Sequence, residues 1–196
     1  MKLTLAVTGA SGAVLAQEMV RVLEADSHVE RVFFVASEHS LRVMAEELDV
    51  SGRNELLPKL LGRTSEKICQ LSNEDIAAPI ASGSYQNDGM IVLPCSMGTL
   101  AGIANGTAGN LIERAADVCL KERRRLILCV RETPFNRIHL RNMLLAEEAG
   151  ATIFPVIPAF YTKPMDTADL TRQFVARVLA NIGLPQADMF RWKGDE

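Results

Sequence analysis

The chain has 196 residues, 48% hydrophobic, 23% charged and 5% aromatic, and 21 Lys+Arg against 24 Asp+Glu leave a formal charge of -3. That size and mix fit one globular domain and exclude a disordered or fibrous chain. Without a basic excess a general role in nucleic-acid binding is excluded too, so any bound anion has to be met by local groups.

The opening MKLTLAVTGASG has one early Lys before a short apolar run, too short for a secretory signal or a bilayer span. A cytoplasmic protein with no membrane association is expected. Leu3 to Thr8 reads as a buried strand entering Gly9-Ala10-Ser11-Gly12, and Ala13 to Ala25 then has apolar residues at helical spacing. Arg31 to Ala36 predicts a second strand, with a helix through Glu47. Over Val50 to Ser84, Gly, Pro, Ser and Asn are scattered among single charges, and an irregular insertion is expected. Met90 to Leu93 and Leu126 to Val130 are further buried strands, and a last one lies near Thr152 to Pro155. Helices are predicted at Leu100 to Ala104, Asn110 to Arg123, Arg137 to Glu148 and Ala168 to Ile182. The alternation is that of an α/β protein with a doubly wound, mainly parallel sheet, as a single domain over residues 1–184. Residues 185–196, with Pro185 after a helix end, form a tail expected to dock on a neighbouring subunit.

The four cysteines (Cys69, Cys95, Cys119, Cys129) contain no CxxC pair, and three lie in apolar runs, which predicts reduced structural thiols. His28, His39 and His139 are widely spaced, and no metal site is expected.

In an open parallel sheet ligands bind beyond the carboxyl ends of the strands. The first such corner, Thr8 to Ala13, offers small residues, backbone N–H groups and the Ser11 hydroxyl at a helix start. It reads either as a phosphate site or as a tight turn that needs Gly for geometry alone. Pro94-Cys95-Ser96-Met97-Gly98-Thr99 is a second corner of this kind, or a plain helix cap by Ser96 or Thr99. Arg131-Glu132-Thr133-Pro134 puts opposite charges directly after a strand, either as a salt-bridged loop or as a site that binds an anion and moves a proton. Tyr161 follows Ala159-Phe160 and by itself reads as a packed core tyrosine, and Lys121 begins a basic run that suits a solvated helix end. Ala81-Ser82-Gly83-Ser84 either closes over a ligand or merely turns the chain.

Taken together, TGASGA at Thr8 to Ala13, PCSMGTLAGIANG at Pro94 to Gly106, NLIERAADVCLKERR at Asn110 to Arg124, RETPFNRIHLRNM at Arg131 to Met143 and PAFYTKP at Pro158 to Pro164 resemble the UbiX-type flavin prenyltransferases over nearly the whole chain. The resemblance implies a Rossmann-like, metal-independent enzyme that joins a dimethylallyl group from dimethylallyl monophosphate to reduced FMN, at N5 and then C6. The prenylated FMN would serve a UbiD-type decarboxylase. It also implies a homo-oligomer, a dodecamer built from trimers, with active sites shared between subunits. By matching position, Gly9, Ala10, Ser11, Ser37, Ser96, Met97, Gly98, Thr99 and Arg131 look like the flavin-binding set. Lys121, Glu132, Tyr161 and Arg177, with Arg114 beside them, resemble the prenyl-phosphate contacts, and Glu47 an acidic residue close to the flavin. Glu132, Lys121 and Glu47 carry the expected chemistry, and Trp192 resembles an aromatic wall over the prenyl group. Two positions depart from the pattern: Ala16 stands where relatives commonly have Gly, and Ile76 where some carry Trp. A flavoprotein that decarboxylates cysteines on the same fold is the alternative enzyme, but the helix after the first corner lacks its His and the second corner lacks its PxMNxxMW block. A carrier that only stores FMN would have no use for a second phosphate site.

Overall fold

Val32 to Ala36 and Leu126 to Val130 are apolar at successive positions, so strands made of them need cover on both faces. The computed structural model, which describes residues 1–187 and 189–191, provides it. The strands are β1 (Lys2–Val7), β2 (Arg31–Ala36), β3 (Ile68–Ser72), β4 (Gly89–Cys95), β5 (Arg125–Val130) and β6 (Thr152–Ile153). They form one sheet in the order β3-β2-β1-β4-β5-β6, with every neighbouring pair parallel. The helices are α1 (Ala13–Ala25), α2 (Glu38–Leu48), α3 (Leu56–Leu61), α4 (Met97–Ala104), α5 (Leu111–Lys121), α6 (Arg137–Glu148) and α7 (Thr167–Ile182).

Successive strand residues point to opposite faces, which divides the core in two. Leu5, Phe34, Ile91 and Cys129 pack under α1, α3 and α7, whereas Ala6, Val35, Val92 and Leu128 pack under α4 and α5. The chain builds β1, β2 and β3 outward in one direction and then returns to lay β4 on the other side of β1. That reversal opens a crevice between the carboxyl ends of β1 and β4.

Val50 to Ser84 is not an irregular insertion: it holds α3, β3 and a short 3-10 turn at Pro79–Ala81. β3 is an edge strand in which only Ile68 is buried, while Gln70 Nε2 donates to the Arg53 carbonyl at 3.1 Å, so its apolar periodicity is too weak to read. α4 begins three residues earlier than the apolar spacing suggests, because the Ser96 side chain caps it and draws Met97 into the first turn. The described part of the tail lies on its own chain: Gln186 Nε2 donates to Asp26 Oδ2 at 3.0 Å and Phe190 N–H to Gln173 Oε1 at 2.9 Å. Among the described residues, no helix is long and apolar enough to cross a membrane.

Candidate active site

The two corners at the crevice are tied together by one buried hydroxyl. Thr8 Oγ1 donates to the Pro94 carbonyl at 2.8 Å and accepts from Ser96 N–H at 2.8 Å, and Thr8 N–H reaches Pro94 O at 3.2 Å. The sequence marks Thr8 only as the start of the first corner; its bracing role is not legible locally, since its partners lie more than eighty positions away.

The first corner turns at Gly12, whose φ of 121° favours glycine. Gly9 is needed for another reason: a Cβ there would lie 2.5 Å from His39 Cβ, so its absence lets α2 close on the turn. The N–H groups at the start of α1 are not waiting for a phosphate. Glu47 Oε2 accepts from Gly12 N–H at 3.0 Å and from Ala13 N–H at 2.7 Å, and the Ser11 side chain also bonds to this carboxylate. Partial burial works to raise the Glu47 pKa, but the bonds from Ser11, Ala13 and Gly12 and the charge of Arg131 outweigh it and hold it below the usual carboxylate range. A protein carboxylate thus fills the anion position that sequence reasoning offered to a ligand phosphate at this turn.

Two other helix starts face the same edge. Ser37, directly after β2, caps α2 by accepting from Ser40 N–H at 3.2 Å, and its own N–H donates to Val7 O at 3.0 Å. Ser96 accepts from Thr99 N–H at 3.4 Å and donates to Thr99 Oγ1 at 3.2 Å. Met97 turns its side chain into the core, leaving its backbone for a ligand, and a Cβ on the exposed Gly98 would meet no protein atom within 4 Å. Hydroxyls over two helix N-termini, with open space above a glycine, fit a flat ligand that carries a phosphate, as FMN does.

Arg131 and Glu132 reach this edge at the end of β5, where Arg131 N–H donates to Cys95 O at 3.1 Å. They do not form the salt-bridged loop: the Arg131 charge acts on Glu47, while Glu132 Oε1 accepts from Thr133 N–H at 2.9 Å. Tyr161 is not a core tyrosine, being 52% exposed at the rim of a cleft of about 400 Å³ lined by Phe154, Ile157, Phe160 and Arg177. Arg177 Nη1 donates to Tyr161 Oη at 3.3 Å.

Lys121 and Arg114 stand apart. Lys121 ends α5 just before β5 begins, pairs with Glu122 and faces Gly83, so it lies at the amino edge of the sheet. Glu132 follows the other end of β5, and a six-residue strand alone separates the two by about 20 Å. Arg114 Nε donates to Ala81 O at 3.1 Å and its Nη1 to Asp117 Oδ2 at 2.7 Å, which holds the Ala81 to Ser84 loop on α5. Ile76 is 62% exposed in the turn after β3. Trp192 lies outside the described residues.

Comparison with known proteins shows the family and the fold. The Flavoprotein family model matches residues 1–178. The flavin prenyltransferase UbiX of Halalkalibacterium halodurans is 43% identical over 195 residues, covering 98% of this chain and 93% of that protein. Among solved structures, AnUbiX (PadA1) in complex with FMN and dimethylallyl pyrophosphate superposes with a TM-score of 0.88 at 43% identity, covering 100% of this chain and 98% of that one. The dodecameric FMN-dependent UbiX-like decarboxylase from Escherichia coli O157:H7 gives 0.88 at 41% identity, covering 99% and 100%. With matches of this depth along its whole length, the chain belongs to the flavoprotein family and, within it, to the UbiX-type flavin prenyltransferases.

Proposed function

We infer that this protein joins a dimethylallyl group from dimethylallyl monophosphate to reduced FMN, first at N5 and then at C6. The observation that carries this reading is the pairing of two different sites at one sheet edge: the Thr8-linked corners suit the flavin, and the cleft at Tyr161 and Arg177 suits an apolar group bearing a phosphate. In the first corner Glu47 fixes Gly12 and Ala13, so the flavin phosphate is assigned to the hydroxyl-bearing starts of α2 and α4 at Ser37, Ser96 and Thr99. Gly9, Ala10 and Ser11 contribute backbone and hydroxyl contacts beside Gly98, and Arg131 places positive charge over the same crevice.

Loss of an allylic phosphate separates a cation from a dianion. Arg177 and the Tyr161 hydroxyl stabilise the departing phosphate, and the apolar walls at Phe154, Ile157 and Phe160 keep water from the cation. The proton released on ring closure passes to Glu132 or to the departed phosphate.

Lys121 joins this chemistry only from another copy of the chain. The outer face of α6 carries exposed Ile138, Leu140, Leu144 and Leu145, an apolar surface suited to such a copy, and a dodecamer like that of the Escherichia coli relative is the assembly we favour. The product is handed to a UbiD-type decarboxylase. The four free cysteines favour a reducing, cytoplasmic setting.

The test is anaerobic incubation with reduced FMN and dimethylallyl monophosphate, followed by the mass and absorbance of the released flavin. A flavin heavier by one prenyl unit supports the reading, and unmodified flavin leaves only a carrier. In the same assay Glu132→Gln should keep FMN and stop before ring closure, and closed product from that variant would reassign the proton to the phosphate.

A further inference from the structure

The tail beyond α7 is pinned at two points. Gly183, at a φ of 97°, reverses the chain, and buried Leu184 anchors the reversal by donating to Leu179 O at 2.8 Å. Gln186 Nε2 then donates to Asp26 Oδ2 at 3.0 Å and to Leu184 O at 3.1 Å. Asp26 is a firm anchor: its side chain is only 11% exposed, and it accepts from His28 N–H at 2.8 Å with His28 Nδ1 at 3.0 Å.

The second point faces the cleft. Phe190 N–H donates to Gln173 Oε1 at 2.9 Å, and Gln173 precedes Arg177 by one helical turn, on the same side of α7. Held there, the Phe190 ring meets the Tyr161 ring at 5.5 Å and 57°, while Arg177 donates to the Tyr161 hydroxyl. Tyr161 itself stands on the three-residue turn Phe160–Thr162, which Lys163 N–H closes by donating to Phe160 O at 3.0 Å. A packed aromatic neighbour removes side-chain freedom that phosphate binding would otherwise have to remove.

We propose that Gln173 and the Asp26–Gln186 pair are positioning residues: they hold the reversed tail on α7, seat Phe190 against Tyr161 and so set the Tyr161–Arg177 pair for the phosphate of the prenyl donor. The proposal rests on reading Tyr161 and Arg177 as prenyl-phosphate contacts. It adds that a bond at the opposite edge of the molecule, at Asp26, tunes donor binding through the tail alone.

The test uses the full-length, FMN-loaded protein and three readouts: calorimetric affinity for dimethylallyl monophosphate, FMN affinity by flavin fluorescence, and the rate of trypsin cleavage after Arg191. For Gln173→Leu, donor affinity falls about five-fold, the scale of one lost hydrogen bond, cleavage speeds up by a similar factor and FMN affinity holds. Gln186→Leu moves the same two readouts in the same direction. Phe190→Ala weakens the donor alike, and Phe190→Tyr, which keeps the ring, binds it as the parent does. Faster cleavage with unchanged donor affinity overturns the proposal, as does a parallel loss of FMN and donor. A parent protein that binds the donor yet makes no prenylated flavin refutes the catalytic reading and leaves the positioning role standing, whereas one that does not bind the donor refutes both.

Discussion

Glu47 shows how a single carboxylate decides what a helix start can do. Its contacts with Gly12 and Ala13 satisfy amides that would otherwise seek a ligand, and its depressed pKa makes this contribution depend on pH. The stabilisation is complete above the unfolded-state value and is lost as pH falls through the lower folded value. Glu47→Gln should therefore cost up to about 1 kcal/mol at neutral pH, a modest figure because the group is only partly buried, and nothing in strong acid. Urea melts of both proteins across that range check it, and an equal difference at every pH would contradict the assignment. The thiols give a second residue-scale prediction. Burial pushes Cys95 and Cys119 up to about 12 and Cys129 well above its ordinary value, whereas Cys69 is half-buried. Native protein should react with iodoacetamide at Cys69 first, with the other three modified only on unfolding, as peptide mass mapping would record. The burial of these cysteines was legible from their apolar neighbours. The Glu47 contacts were not, because Glu47 lies 34 residues from Ala13 and nothing local to either segment announces the pairing.

Among the elements, the corner between β1 and α1 and the corner between β4 and α4 act as one unit through Thr8. Thr8→Val keeps the shape but leaves the Ser96 N–H without its acceptor, at a cost of about 1–3 kcal/mol. FMN affinity should fall with it, because the two helix starts lose their shared brace; a variant of normal stability and normal flavin affinity would refute the brace. The corners themselves stood out in the sequence, since small and hydroxyl-bearing residues cluster directly after buried strands. β3 did not, because an edge strand that buries one residue has no alternation to read. The start of α4 was misplaced for a related reason: apolar spacing marks where a helix packs, whereas the Ser96 cap marks where it begins.

For the whole molecule, the position of Lys121 bears on the proposed assembly. It sits at the amino edge of the sheet while Glu132 follows the opposite end of β5 and Tyr161 and Arg177 line the cleft, so the proposed role of Lys121 at the prenyl phosphate calls for a neighbouring copy. Leu145→Glu, on the outer face of α6, should yield smaller particles in sedimentation, and normal particles would exclude that face from the interface. Lys121 and Glu132 are only eleven residues apart in sequence, but β5 carries the chain from one edge of the sheet to the other between them. The fold class followed from alternating apolar periods, but which residues meet was set by topology. A crystal soaked with FMN and dimethylallyl monophosphate tests the central claim most directly. The account predicts flavin across the Thr8 and Ser96 corners, its phosphate at the starts of α2 and α4, and a second phosphate between Tyr161, Arg177 and a neighbouring copy's Lys121. Flavin phosphate on the Gly12 and Ala13 amides in place of Glu47, or a prenyl phosphate away from Tyr161 and Arg177, would contradict it.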